Sequence, residues 1–115
     1  MALIFFASPA GADKIENQIA VFSGLDKVTA VITSFEIPLN EKRIFGVLEV
    51  TPRVCYSRPP TEPPKTTAFV EINELRTDTA PKQIFTGWMF ADSPGLNAVE
   101  HPVYDVWLTS CKTAS

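Results

Sequence analysis

Apolar and polar residues alternate in short runs along this chain, broken at close intervals by Pro, Gly and Asn. Nowhere do they hold the three-to-four spacing of a long amphipathic helix. The segment Lys27 to Ile37 (KVTAVITSFEI) is rich in β-branched residues and stops at Pro38, which predicts a strand. Its alternation slips: Val28, Ala30 and Ile32 share one parity, while Val31, Phe35 and Ile37 share the other. A bulge near Val31 and Ile32, or burial of both faces, is the expected cause. Pro38 to Lys42 (PLNEK) reads as a turn. A second strand is expected from Arg43 to Val50, with Gly46 removing a side chain where a neighbour approaches closely.

Thr51-Pro52 interrupts that run before Val54-Cys55-Tyr56 resumes it. Because proline has no N–H to donate, the strand there should lie at an edge or bend. The four prolines from Pro59 to Pro64 impose polyproline II geometry, and a stiff exposed connector explains them better than the P-x-x-P ligand pattern they contain. Thr67 to Leu75 alternates cleanly, with Ala68, Val70 and Ile72 inward and Glu71 and Asn73 outward. Gln83 to Phe90 should pair back on it as a hairpin across the polar turn Arg76 to Lys82. A last strand, Val103 to Leu108, follows a loop punctuated by Ser93-Pro94-Gly95 and His101-Pro102. The expected fold is a single all-β domain, an antiparallel β-sandwich or partly open barrel of about six strands spanning residues 27–111. Residues 13–26 have no convincing period and are read as an arm packing on that core, and residues 112–115 as a tail.

Composition narrows the class. Of 115 residues, 45% are hydrophobic and 20% charged, which is ordinary for a globular domain. A net charge of -3 lacks the cationic field that nucleic acid or an anionic lipid surface attracts. The uncharged start MALIFFASPAGA ends in a small-x-small pattern and gives way abruptly to Asp13-Lys14. Residues 1–12 are therefore read as the remnant of a signal peptide whose true start lies upstream, the alternative being a buried N-terminal strand. No other run is long and apolar enough for a membrane span. In an exported chain, the two cysteines Cys55 and Cys111 most simply form one disulfide, closing a long loop that the chain-entropy model values at roughly 4 kcal/mol. Two buried thiols in a cytosolic protein are the alternative.

Reactive chemistry is weakly signalled. His101 with Asp105 and either cysteine supplies the parts of a nucleophilic triad, but a disulfide would remove the nucleophile. His101, Glu100 and the cysteines lack the close paired spacing of zinc ligands. Glu71, Glu74, Asp92 and Glu100 can be nominated as carboxylate pairs, yet solvated faces account for them as well. No phosphate cradle or cofactor motif occurs. The aromatic set Phe85, Trp88, Phe90, Tyr104 and Trp107 is more informative: such residues on a small β-protein usually form core, and otherwise a platform for a partner.

Three blocks carry a family likeness: LDKVTAVITSFEIP, RIFGVLEVTPRVCYSRPPTEPPKTTAFVEI and IFTGWMFADSPGLNAVEHPVYDVWLTSC. Together, from about Gly24 to Cys111, they resemble the DUF2155 family, a domain of unknown function in alphaproteobacteria. CYSRPPTEPP and GWMFADSPGLNAVEHPVYDVW are the most specific parts. The resemblance implies export to the periplasm and brings no enzymatic activity. Proximity of family genes to one for a respiratory complex I accessory subunit implies a partner among envelope or membrane complexes. The expected function is thus a non-enzymatic periplasmic interaction domain with no cofactor, contacting its partner through Trp88, Pro94, Asn97, His101 and Tyr104. A small-molecule or glycan-binding module using the same aromatics is the alternative.

Overall fold

The computed structural model describes residues 15–59, 61, 63, 65–94 and 99–113. The segment 1–12, Asn97, and Pro60, Glu62 and Pro64 of the proline cluster lie outside them. Among the described residues nine strands form, β1 (Ile15–Glu16), β2 (Ile19–Asp26), β3 (Val31–Pro38), β4 (Arg43–Phe45), β5 (Leu48–Ser57), β6 (Thr67–Glu74), β7 (Lys82–Phe90), β8 (Val99–Glu100) and β9 (Tyr104–Lys112), and there is no helix among them. One sheet runs β1-β5-β6-β7 with β4 also paired to β5; the other runs β3-β2-β9-β8. All pairings are antiparallel. The two sheets remain open, so the architecture is a β-sandwich with six long strands and three short ones.

The core lies between the sheets. Ala68, Val70 and Ile72 of β6 point inward as their alternation predicts, against Leu48 and Val50 of β5 and Met89 of β7. Phe22 of β2, Phe35 and Ile37 of β3, and Val106 and Leu108 of β9 face them from the other sheet. Each large side chain among these removes enough apolar surface from water to contribute roughly 1.5–3 kcal/mol. Cys55 on β5 and Cys111 on β9 are joined across the sandwich, 56 positions apart in sequence, so the disulfide ties one sheet to the other.

Four expectations need correction. The arm read at residues 13–26 is in large part β2, an interior strand paired on both edges, with β3 and β9. Alternate burial of Ala20 and Phe22 is diluted in the sequence by Gly24 and Ser23, which hides the period. The strand expected from Lys27 begins only at Val31. Asp26 Oδ1 accepts the N–H groups of Val28 (2.9 Å) and Thr29 (3.3 Å), and Ala30 takes a φ of 62°, so residues 27–30 form the turn of the β2–β3 hairpin. The slipped alternation reflects this turn and the exposure of Val31 and Ile32, 55% and 62%; pairing with β2 is continuous there and contains no bulge.

The single strand expected from Arg43 to Val50 is a two-residue hairpin, β4 to β5, with Phe45 opposite Leu48. Gly46 has φ 63° and Val47 does not share the positive sign, the pattern of a type II′ turn. Tyr104 packs directly over Gly46, so the close approach expected at that glycine occurs. Finally, Phe90 and Trp107 are only partly buried and Trp88 is 40% exposed, while Phe85 and Tyr104 pack at the rim. The aromatic set, for which core is the first reading and an exposed platform the alternative, is therefore divided between the two.

Pro52 fulfils both alternatives stated for it. Pairing with β6 shifts register between Pro52 and Val54, and on the opposite side β5 has strand partners among the described residues only at its ends, β4 at residues 48–50 and β1 at residues 56–57.

With both sulfurs bonded to each other, unreduced protein should resist thiol alkylation. Replacing Cys55 and Cys111 together by Ala should lower the unfolding free energy by about 4 kcal/mol, read from the urea midpoint. Alkylation of both thiols without reductant would contradict the bridge.

Candidate functional site

The outer face of the β5-β6-β7 sheet carries a group of aromatic side chains. Alternation puts Tyr56 opposite in facing to buried Cys55, Phe69 opposite to Ala68 and Val70, and Trp88 opposite to Met89. Phe69 and Trp88 are direct cross-strand neighbours, their rings 5.5 Å apart edge to face. Tyr56 stacks on Trp88 at 6.1 Å. A shallow cleft of about 390 Å³ opens beside them, lined by Tyr56, Arg58, Lys65, Trp88 and Phe90 among others. Its described lining includes two cations and no carboxylate, although the whole chain is net negative.

A second cleft lies at the far end of β6. His101 Nδ1 accepts the N–H of Val103 (3.0 Å), which leaves the ring proton on Nε2 to donate to Glu74 Oε2 at 2.6 Å. Arg76 donates through Nε and Nη2 to the other oxygen of Glu74, both at 3.3 Å. An aromatic ladder connects this cleft to the core: Phe22 to Phe35 (5.8 Å), Phe35 to Phe45 (5.5 Å), Phe45 to Tyr104 (5.4 Å) and Tyr104 to His101 (5.7 Å). Lys27 completes the frame, with Nζ 2.9 Å from Asp105 Oδ1 and 2.8 Å from the His101 carbonyl oxygen.

These placements separate the residues nominated from sequence. Trp88 stands at the Phe69 end of β6 and His101 at the Glu74 end, five positions or about 17 Å along the strand. Pro94 is exposed in the turn after β7, and Asn97 lies outside the described residues. The interaction surface expected to contain Trp88, Pro94, Asn97, His101 and Tyr104 is therefore not one continuous patch: Trp88 lines one cleft, and His101 with Tyr104 the other. The triad drawn from sequence is not assembled, because the sulfurs are joined, His101 pairs with Glu74, and Asp105 pairs with Lys27. Of the nominated carboxylates, Glu71 lies 3.0 Å from Arg53 Nε and Glu74 is held by His101 and Arg76. No group of three metal-ligating side chains converges among the described residues. Tyr56, Phe69 and Lys65 were not nominated. Phe69 had a readable signal, an aromatic at an outward position between two inward apolar residues; Lys65 had none.

The His101 hydrogen bond, opposed by partial burial and helped by the Arg76 guanidinium, holds the Glu74 carboxyl below its ordinary 4.5. A depressed carboxylate pKa adds stability that is complete above the unfolded value and is lost as pH falls through the folded one. The stability gap between the wild type and Glu74→Gln should accordingly shrink on acidification below 4.5. Thermal unfolding of both proteins between pH 3 and pH 7 measures it, and a gap that widens on acidification would contradict the assignment.

Comparison with known proteins adds the chain's kinship. Over 87 residues, 76% of this chain, it is 26% identical to an uncharacterized protein of Rickettsia prowazekii (strain Madrid E), and the matched stretch spans 56% of that relative's length. No solved structure matches the chain. Residues 20–111, from the interior of β2 to the disulfide on β9, match the family described as "Uncharacterized protein conserved in bacteria (DUF2155)", and the chain belongs to that family.

Proposed function

We propose that this domain works by holding another protein, that it is exported to the cell envelope, and that its docking surface is the outer face of the β5-β6-β7 sheet centred on Trp88. The observation that carries the reading is the aromatic group itself. Trp88, stacked on Tyr56 and edge-on to Phe69, is 40% exposed on an outer sheet face. Tryptophan and tyrosine supply large contact area with little conformational freedom to lose, which suits the anchor of an interface. Their side chains are already packed on one another, so binding does not have to order them.

Envelope residence is supported by the bridge between Cys55 and Cys111, since such a bond persists in oxidising compartments. Membership in the family adds no activity, because the family is uncharacterized. A glycan or small-molecule site on the same aromatics is the second reading, favoured by the cleft beside Trp88.

A photo-cross-linking amino acid placed at exposed Thr86, next to Trp88 on the same face, should trap one defined envelope protein in the native host. Trp88→Ala should reduce that product at least tenfold, in line with loss of an interface anchor. The same probe at Ile32, exposed on the other sheet, should not give it. Equal, unspecific products from both positions would remove the protein-binding reading. A saturable Trp fluorescence change with saccharides would then favour the second.

A further inference from the structure

β7 is the last strand of its sheet among the described residues, and its free edge has a definite chemical pattern. Ala91 N donates to Thr66 O at 3.0 Å, which fixes the phase of the β6–β7 ladder. Antiparallel pairs alternate between hydrogen-bonded and non-hydrogen-bonded. With Phe90 opposite Thr67 and Trp88 opposite Phe69, the residues whose N–H and C=O turn toward β6 are Phe85, Gly87 and Met89. Thr86, Trp88 and Phe90 turn theirs to the open edge. The same three residues carry their side chains on the outer face, so the backbone positions able to pair with a new strand lie beside the aromatic cleft.

Native sheets blunt such edges with charges, prolines, bulges or covering segments. In β7 these devices gather at the start, where Lys82 stands and the register shifts opposite Ile72 and Asn73. From Phe85 to Phe90 (FTGWMF) the strand has no charge and no proline. The other long edge, β3, carries Glu36 and ends on Pro38, and its Glu36 carbonyl accepts Arg43 Nη1 at 3.4 Å. Electrostatics then select among peptides. The cleft adjoining Trp88 and Phe90 is also lined by Lys65, which makes no ion pair among the described residues, so this corner favours an anion although the net charge of the chain is -3.

We propose that residues 86–90 of β7 accept an extended segment of a partner protein as an added strand, with an acidic side chain of that segment at Lys65 and an apolar one against Trp88 and Phe90. This rests on the protein-binding reading above and specifies its partner as a strand-forming acidic peptide. Main-chain hydrogen bonds supply the pairing, and the side-chain cleft supplies the selection.

The test begins with the free protein. Amide hydrogen exchange should be slow at Phe85, Gly87 and Met89 and fast at Thr86, Trp88 and Phe90. A phage library of random twelve-residue peptides is then panned on the full chain, and retrieved peptides are added in solution. The expected result is peptides containing Asp or Glu that slow exchange at Thr86, Trp88 and Phe90 at least tenfold. Lys65→Glu should weaken the acidic peptides at least threefold and improve their Glu→Lys counterparts. Failure to retrieve any binder would overturn the proposal. So would binders that alter Trp fluorescence while those three amides still exchange freely, an outcome that leaves docking on the aromatic face intact. Protection of the three amides without peptide, rising with protein concentration, would assign the edge to a second copy of the chain and likewise overturn the proposal.

Discussion

Everything on the outside of this domain depends on how its two sheets bury their inner faces. The inward rows of β5, β6 and β7 meet those of β2, β3 and β9, and the contact is almost entirely aliphatic apart from Phe22 and Phe35. A sandwich this small has little spare apolar surface, so the pairing of β2 with both β3 and β9 matters: it brings strands far apart in sequence into one sheet. The disulfide between β5 and β9 then ties the two sheets together in the fold and restricts the conformational freedom of the unfolded chain. With aliphatics filling most of the interior, Phe85 packs against the core and the other aromatic side chains of β5, β6 and β7 are left for the opposite face.

That division gives the two clefts different characters. The His101 cleft is tied to the core through stacked rings from Phe22 to Tyr104, and its polar atoms are mutually satisfied: both imidazole nitrogens, both Glu74 oxygens and the Lys27 ammonium have partners. Such a closed network holds the β8–β9 loop against the end of β6. The Trp88 cleft is the reverse. Its rings lean on one another and on the sheet, and one side of the strand that carries Trp88 has no partner strand among the described residues. The polar network stands at the histidine end of β6, and the exposed aromatics stand at the tryptophan end, above the disulfide.

The class of fold is legible in the sequence because β6 obeys a strict period of two and Pro, Gly and Asn punctuate the rest. Cys55 and Cys111 are legible as a pair because only two cysteines exist. The errors have physical causes. In β2 the period is carried by small residues, Ala20 and Gly24, which contribute little apolar signal, although Gly24 is small for a reason: a Cβ there would stand 2.6 Å from the Phe45 ring. In the β4–β5 hairpin the turn is a Gly-Val pair inside an apolar run, so the hydrophobic pattern passes straight through a reversal that only the positive φ of Gly46 reveals. The candidate site divides in the same way. Trp88 and His101 fall in one stretch of sequence, but β7 and β8 belong to different sheets, and proximity along the chain does not survive the crossing.

The exposed tryptophan and the open edge are two aspects of one feature. In a hydrogen-bonded ladder the phase of the backbone and the facing of the side chain are locked together, because both repeat every second residue. Once Met89 is committed to the core and Ala91 to Thr66, the backbone groups of Trp88 must turn away from β6 and its ring must turn outward. A one-residue slip of β7 would bury Trp88 where Met89 sits and present a thioether instead of an indole beside the open edge. The fit of Met89 in the core therefore sets the register that places an aromatic anchor and free pairing groups on the same residues, and the interior packing of this small sandwich determines what its surface can hold.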